Sequence, residues 1–242
     1  MNFLVYKKSD YLIGCSEILS LEWSRFLNTK NIITINNGLT KVEYSTIKKS
    51  YKPSLESIKI IWVGRFEKVK NPSLLIEALE KIQFKSKKIN FMMIGNGSLL
   101  KKISIRAKTF NKKRENKNID LKIYPAMERK EVLENIGNAK IFINTSSSES
   151  FCNAALEALV NKDCYLILPN LDTLKNIYRF KNVVFYEKNS SQDLAKKIKN
   201  IIKKINPDEI SLEPRNFPEK FKLRNCAKKY VHLYNKILVN NS

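Results

Sequence analysis

The chain is predicted to fold as an α/β protein, a Rossmann-like parallel sheet with helices on both faces, and three observations predict it. From Ile58 onward short apolar runs alternate with stretches of helical periodicity, the order that threads helices between parallel strands. The apolar runs are nearly continuous rather than alternating, as expected of strands buried on both faces. Glycine, proline and asparagine punctuate their ends, at Gly64, Asn71-Pro72, Gly95-Asn96-Gly97 and Pro125.

The elements follow in order. Strands are expected at 58–63, 89–94, 119–124, 139–143, 164–168 and 182–186. Helices are expected near 72–83, 98–113, 128–137, 151–161, 172–179 and 191–204. Pro72 suits a first helical turn, with Asn71 or Ser73 as its cap. Ahead of this unit, residues 1–36 supply two strands and one helix, too little for a domain of their own. Behind it, Phe217 to Leu238 places Phe221, Cys226, Tyr230, Leu233, Tyr234 and Ile237 at helical spacing. The boundaries are therefore 1–57, 58–216 and 217–242. With 242 residues, 43% of them hydrophobic, the chain can bury a substantial core.

Charge and cysteine usage exclude several classes. The net charge of +22 invites a nucleic-acid reading. The lysines, however, are scattered over helix faces and no nucleic-acid module is recognisable, so no nucleic-acid partner is expected. An anionic membrane surface suits the charge better, through Phe84 to Lys88, Lys101 to Arg114 and Lys196 to Lys204. No apolar run reaches the ~20 residues of a membrane span and no signal peptide opens the chain. The expected location is cytoplasmic, peripheral on the inner face of the membrane. Cys15, Cys152, Cys164 and Cys226 lack metal-ligand spacing and read as reduced thiols. Cys152 alone lies where a helix amino terminus can lower a thiol's pKa, though a packing role is the simpler reading. His232 reads as a structural residue of the terminal helix.

The functional signal is Glu149-Ser150-Phe151-Cys152-Asn153-Ala154-Ala155-Leu156-Glu157, directly after the strand 139–143. If Ser150 or Phe151 opens the helix, the two carboxylates stand ~12 Å apart at ~1.5 Å per residue, with unpaired backbone N–H groups between them. A nucleotide-sugar has that layout, a diphosphate between two hydroxyl-bearing rings. The pair alone is weak, since 23 acidic residues in 242 give roughly two chance pairs at any spacing. Arg65 and Lys70, on the loop after strand 58–63, add a guanidinium and an ammonium where open parallel sheets bind ligands. Two rivals fail on spacing. A dinucleotide fingerprint from Gly95-Asn96-Gly97 would need its third glycine at Leu100, and no Gly-Lys-Ser/Thr triplet forms a phosphate loop. The Gly-Asn-Gly turn reads as a tight strand-to-helix connection lining the cleft.

In order, Val63-Gly64-Arg65, Lys70-Asn71, Met93-Ile94-Gly95-Asn96-Gly97, Asn144-Thr145-Ser146, Glu149-Ser150-Phe151 and Glu157-Ala158-Leu159 resemble the carboxyl-terminal, donor-binding half of a glycosyltransferase family 4 (group 1) enzyme of the GT-B architecture. Ile13-Gly14-Cys15-Ser16 and Ile35-Asn36-Asn37-Gly38-Leu39 are similar to that family's last amino-domain strand and interdomain linker. The resemblance implies that 1–57 is a remnant of an amino-terminal acceptor domain plus linker, 58–216 the donor domain and 217–242 a crossover helix. It implies a retaining hexosyltransferase that uses a UDP- or GDP-sugar, needs no cofactor and no metal, and acts on a lipid-linked or saccharide acceptor in bacterial surface polysaccharide or glycolipid synthesis. Catalysis falls to Arg65, Lys70 and Glu149. Donor binding falls to Gly64, Gly95, Tyr124, Pro125, Met127, Ser150, Phe151, Cys152, Asn153 and Glu157, with Tyr124 to Met127 receiving the base, backbone amides of 151–153 near sugar and phosphate, and Glu157 accepting from the ribose. The family's glycine after the second Glu is replaced by Asn161-Lys162-Asp163, and its next acidic residue is not evident around Leu171 to Ile177. Three readings stay open: an enzyme truncated or active with an amino-domain partner chain, a non-catalytic remnant or subunit that binds nucleotide-sugar, and an unrelated α/β nucleotide-binding protein in which the matches are accidental.

Overall fold

The computed structural model describes residues 9–50, 57–84, 88–112, 118–205 and 217–240. Residues 1–8, 51–56, 85–87, 113–117, 206–216 and 241–242, on which parts of the amino-terminal, Phe84-to-Lys88, Lys101-to-Arg114 and terminal readings fall, lie outside the described residues.

The six expected strands form one all-parallel sheet: β3 (Ser57–Val63), β4 (Lys88–Ile94), β5 (Ile119–Tyr124), β6 (Ile141–Ile143), β7 (Tyr165–Pro169) and β8 (Val183–Tyr186). Their order is β5-β4-β3-β6-β7-β8, the doubly wound arrangement. The chain steps outward from β3 to β5, crosses back, and continues from β6 to β8. Strands β3 and β6 are thus neighbours, pairing Ile60 with Ile141 and Ile61 with Phe142. The loops leaving them diverge to opposite faces and open the crevice where such sheets bind ligands.

Each face has its own core. Ile58, Ile60 and Trp62 of β3, Phe91 of β4 and Ile141 and Ile143 of β6 face one cluster with helices α3 (Pro72–Leu79), α4 (Leu100–Lys112) and α8 (Ser191–Lys204). Ile61, Phe142, Leu166 and Leu168 face the other, with α5 (Arg129–Gly137), α6 (Asn153–Val160) and α7 (Asp172–Ile177). The central strands are apolar on both sides for that reason. On β4 and β5 the second face instead lines an open cleft with Asn90, Met92, Asp120 and Lys122.

Ahead of the sheet, β1 (Leu12–Gly14), α1 (Glu17–Leu27) and β2 (Ile32–Thr34) make a βαβ unit with a two-stranded parallel sheet, as expected. Ser16 caps α1 by accepting from Leu19 N. Gly14 is required there, since a Cβ would stand 2.2 Å from Ser20 Oγ. The linker holds a helix that the reading above missed, α2 (Lys41–Ser50), whose buried Ile47 joins the core with α5 and α6. Thr40 and Glu43 form a capping box at its start: Glu43 N donates to Thr40 Oγ1, and Glu43 Oε2 accepts from Thr40 N. That Thr-x-x-Glu pattern was the legible signal.

The terminal segment is a turn at Glu219–Phe221 followed by α9 (Leu223–Asn240). It is stitched to the linker, Leu39 N donating to Phe221 O and Leu223 N to Leu39 O, and Phe221 packs on the rings of Phe151 and Phe217. Of the expected stripe, Phe221, Cys226 and Leu233 are buried, while Tyr230 and Tyr234 are exposed along with Val231, Leu238 and Val239. Among the described residues no helix is long and apolar enough to cross a membrane.

Candidate functional site

The site is built from the two loops that leave β3 and β6. After β3, Gly64 N donates to Ile94 O, and the backbone passes so close to Gly95 that a Cβ there would lie 1.9 Å from Gly64 O. Gly95 and Gly97 take φ of +153° and +147°, a backbone open to glycine, so the Gly-Asn-Gly turn is the tight strand-to-helix connection expected. Arg65 is exposed and its guanidinium has no hydrogen-bond partner among the described residues; the carboxylate near it belongs to Glu67, which receives Ser98 N and Oγ. A single helical turn, Lys68–Lys70, then carries Lys70 back over the sheet edge. Asn71 occupies the cap position of α3 in a left-handed conformation but makes no side-chain cap bond, so Pro72 with its preset φ starts the helix without one.

After β6 the loop is clipped onto that turn. Thr145 Oγ1 donates to Lys70 O at 2.7 Å and accepts from Trp62 Nε1 at 2.9 Å, and Ser147 N donates to Val69 O. This brings Lys70 Nζ to 2.5 Å from Glu149 Oε1, across 79 residues of sequence. The same oxygen accepts from Asn144 Nδ2 at 3.1 Å and Ser146 Oγ at 2.8 Å, while Oε2 receives no hydrogen bond among the described residues. Glu149 is 8% exposed and Lys70 23%. One carboxylate oxygen is thus saturated and fixed, and the ammonium keeps two of its three donors.

The helix after this loop does not begin at Ser150 or Phe151. It begins at Asn153, with Cys152 as its cap at φ +67°. Tyr178, fully buried, donates its hydroxyl to both Phe151 O and Cys152 O, and Thr173 Oγ1 donates to Glu149 O, so the carbonyls of Glu149 and Phe151 are held outside the helix and Cys152 O is the first to accept helical bonds, from Ala155 N and Leu156 N. The ~12 Å separation from helical rise therefore does not apply to residues 149–152. Phe151 contributes its ring to the core, packed on Tyr178 and Phe221, leaving only its backbone for a ligand. The N–H groups of Asn153 and Ala154 head α6 with no acceptor among the described residues. Burial pushes the Cys152 thiol up to about 12, with the charge of Glu149 adding to the rise, so the lowered thiol pKa that a helix terminus suggested is overturned.

One turn into α6, Glu157 is 3% exposed. Its Oε1 accepts from Arg129 Nη2 at 2.7 Å; its Oε2 is buried without a partner among the described residues. The same Nη2 donates to Glu43 Oε1 at 2.8 Å. Burial raises the pKa of Glu157 despite Arg129, whereas in Glu43 the bonds from Arg129 and Thr40 outweigh burial and lower it. A cleft of about 350 Å³ opens here, lined by Asn36, Asn37, Glu43, Arg129, Asn153 and Glu157, with Asn37 Nδ2 donating to Asn153 Oδ1.

Residues 43–211 match the family described as glycosyl transferases group 1. The chain belongs to that family. A tRNA-queuosine alpha-mannosyltransferase of Drosophila melanogaster is 29% identical over 184 residues, 74% of this chain and 46% of the relative. A poly(ribitol-phosphate) alpha-N-acetylglucosaminyltransferase of Staphylococcus aureus (strain COL) is 26% identical over 94% of this chain and 44% of its own length. The chain thus spans about half the length of the curated relatives it matches. Among solved structures, sucrose-phosphate synthase from Thermosynechococcus elongatus superposes with a TM-score of 0.75 at 14% identity, covering 98% of this chain and 61% of that one. HepE of Anabaena, solved with UDP and glucose, gives 0.70 at 12% identity over 96% of this chain and 64% of its own. These likenesses carry the fold of the group 1 transferases.

Within that fold the expected residues gather unevenly. Lys70 and Glu149 meet, and Ser150, Cys152 and Asn153 lie between Glu149 and Glu157. Tyr124 sits at the sheet edge and lines the open cleft over β3 to β5 with Lys59, Asn90 and Lys122. Pro125 is exposed, and Met127 Sδ receives Asn135 Nδ2. Asn144 and Ser146 stood in a motif of the resemblance but were given no role at the site, and Glu43 and Arg129 were missed. In a chain with 45 basic residues nothing local distinguishes Arg129. Asn161, where a glycine was expected, is buried and donates to Gly137 O and Ala139 O, tying the end of α6 to the connection between α5 and β6.

Proposed function

We propose that the chain is the donor-binding half of a retaining, metal-independent glycosyltransferase that takes a UDP- or GDP-sugar. The observation that carries this is the Lys70–Glu149 contact at the crevice between β3 and β6, with a second carboxylate, Glu157, holding an unpartnered oxygen on the helix that follows. In this reading the diphosphate lies against the head of α6. Lys70 turns its two spare N–H bonds to phosphate oxygens, and exposed Arg65 closes over them with a planar fork. Both charges oppose the negative charge that grows on the departing diphosphate as the glycosidic bond breaks. Glu149, held by Asn144 and Ser146, offers its other oxygen to hydroxyls of the transferred sugar. Glu157 accepts from the ribose, and the loop from Tyr124 to Met127 receives the base.

The acceptor side is assigned to an amino-domain partner. Two features support it: the two-stranded β1–β2 sheet is smaller than sheets that stand alone, and α9 exposes Tyr234 at 58% and Leu238 at 68%. Transfer to a lipid-linked or saccharide acceptor of surface polysaccharide or glycolipid synthesis, on an anionic membrane, completes the proposal. Lysines at 196, 197, 199, 203 and 204 on α8 supply the charge. Salt-sensitive sedimentation with anionic vesicles checks that part, and a chain that ignores them at low salt removes it.

The binding test is calorimetry of UDP and GDP in EDTA. One nucleotide should bind with a dissociation constant on the order of micromolar to millimolar, weakened at least about tenfold, or about 1.4 kcal/mol, by Arg65→Ala. No binding by either nucleotide, or binding indifferent to that substitution, defeats the assignment.

A further inference from the structure

Arg129 lies outside every motif that the family resemblance supplied, yet among the described residues it is the side chain that hydrogen-bonds Glu157. Its Nη2 bridges Glu157 Oε1 on α6 and Glu43 Oε1 on α2, so three elements meet at one nitrogen on the wall of the 350 Å³ cleft. We propose that Arg129 is a positioning residue for the donor's ribose: it fixes the Glu157 carboxylate by one oxygen and leaves the other to accept from a vicinal diol, with Glu43 drawing on the same guanidinium. The inference rests on the reading that Glu157 receives the ribose.

The physical argument starts from burial. A carboxylate 3% exposed is costly to keep charged unless paired and hydrogen-bonded. Arg129 supplies the pairing at Oε1 and nothing supplies it at Oε2. A buried acceptor without a donor has lost its solvation without compensation, and a ligand hydroxyl that reaches it recovers part of that. The ionised form is the one that serves, because a protonated carboxyl spends an oxygen as donor. Burial raises the pKa of Glu157 first, Arg129 pulls it down, and the charge of Glu43 pushes it up again. Tyr178, beyond α7, and Cys226, on α9, are two further titratable groups near it; burial raises both, so they stay neutral. Tyr230 of α9 also lines the cleft. Arg129 and Glu43 are therefore the charges that set the state of Glu157.

The sign follows. Binding needs the carboxylate, so affinity falls as pH drops through the pKa of Glu157. Removing Arg129 moves that fall to higher pH; removing the charge of Glu43 moves it to lower pH. Glu43→Gln keeps the capping box, in which Gln serves as well as Glu.

The experiment titrates the whole chain with UDP and GDP, and with their 2′,3′-dideoxy counterparts, from about pH 5 to about pH 8.5. For the nucleotide that binds, Arg129→Gln should weaken affinity roughly tenfold near neutral pH, with recovery as pH rises. Arg129→Lys should restore part of it, and Glu43→Gln should shift the profile to lower pH. The dideoxy compound should bind more weakly and ignore Arg129→Gln. Equal losses for diol and dideoxy ligands at every pH, no loss, or profiles that Arg129→Gln and Glu43→Gln move the same way overturn the inference. If the unaltered chain binds neither nucleotide, the donor-site reading falls and takes this one with it; if it binds and Arg129→Gln is silent, this one falls alone.

Discussion

Cutting the Lys70–Glu149 bridge should weaken the fold and the crevice together, by an amount the geometry bounds. Exposed pairs contribute about 0.2–1 kcal/mol, and removing one partner of a fully buried pair costs about 3–5 kcal/mol. With Glu149 8% and Lys70 23% exposed, this pair lies between those limits, in the range of about 1.5–3 kcal/mol for a hydrogen bond to a charged group. Lys70→Met leaves Glu149 with the Asn144 and Ser146 donors, so the carboxylate is not orphaned. A loss of about 2 kcal/mol is expected, toward the low end of that range. Glu149→Gln keeps the outline and an oxygen for those two donors and loses only charge, for about 1 kcal/mol. The double variant should show a coupling of about 1.5 kcal/mol in urea unfolding curves. The Lys70→Met melting temperature should drop roughly 4–8 °C at about 2–4 °C per kcal/mol. A coupling under about 0.5 kcal/mol would show that the 2.5 Å contact does not hold in solution.

Two further outcomes follow from the loop geometry. Tyr178→Phe leaves Phe151 O without its donor, while Cys152 O keeps Ala155 N and Leu156 N, so a loss of about 1–3 kcal/mol is expected in the same curves; a neutral result would mean the hydroxyl does not shape the turn. Gly95→Ala drives a Cβ into Gly64 O, whereas at Gly64 a Cβ meets only the Trp62 ring edge at 3.2 Å and φ is not positive. Gly95→Ala should therefore cost more than about 2 kcal/mol and reduce nucleotide affinity with it, against under about 1 kcal/mol for Gly64→Ala; equal losses would refute the close-approach argument.

The strands were legible because burial writes itself as largely apolar sequence: Ile60 to Val63 is continuous where β3 is buried on both faces, Ile89 to Ile94 is broken by Asn90 where β4 lines the cleft, and Gly64 and Gly95 marked where they end. The start of α6 was not legible. Ser150 and Phe151 are ordinary helix openers, and groups remote in sequence hold the carbonyls of this turn: Tyr178 that of Phe151, 27 residues away, and Thr173 that of Glu149. The burial of Phe151 was hidden for the same reason, since its ring partners Tyr178 and Phe221 lie far along the chain. Helix α2 was legible and overlooked, for Thr40 and Glu43 stand at capping-box spacing.

By itself the sequence determined the layering, the six parallel strands and the placing of Lys70, Glu149 and Glu157 on loops and a helix at their carboxyl ends, because local periodicity and punctuation carry that information. Only the tertiary structure decided which charges meet. Lys70 reaches Glu149 across 79 residues and Arg129 reaches Glu43 across 86, and no local pattern selects those partners from 45 basic and 23 acidic residues. Pairing is a property of where strands β3 and β6 lie side by side and of how α2 docks on α5 and α6, and sheet order and helix docking arise from burial between segments remote in sequence.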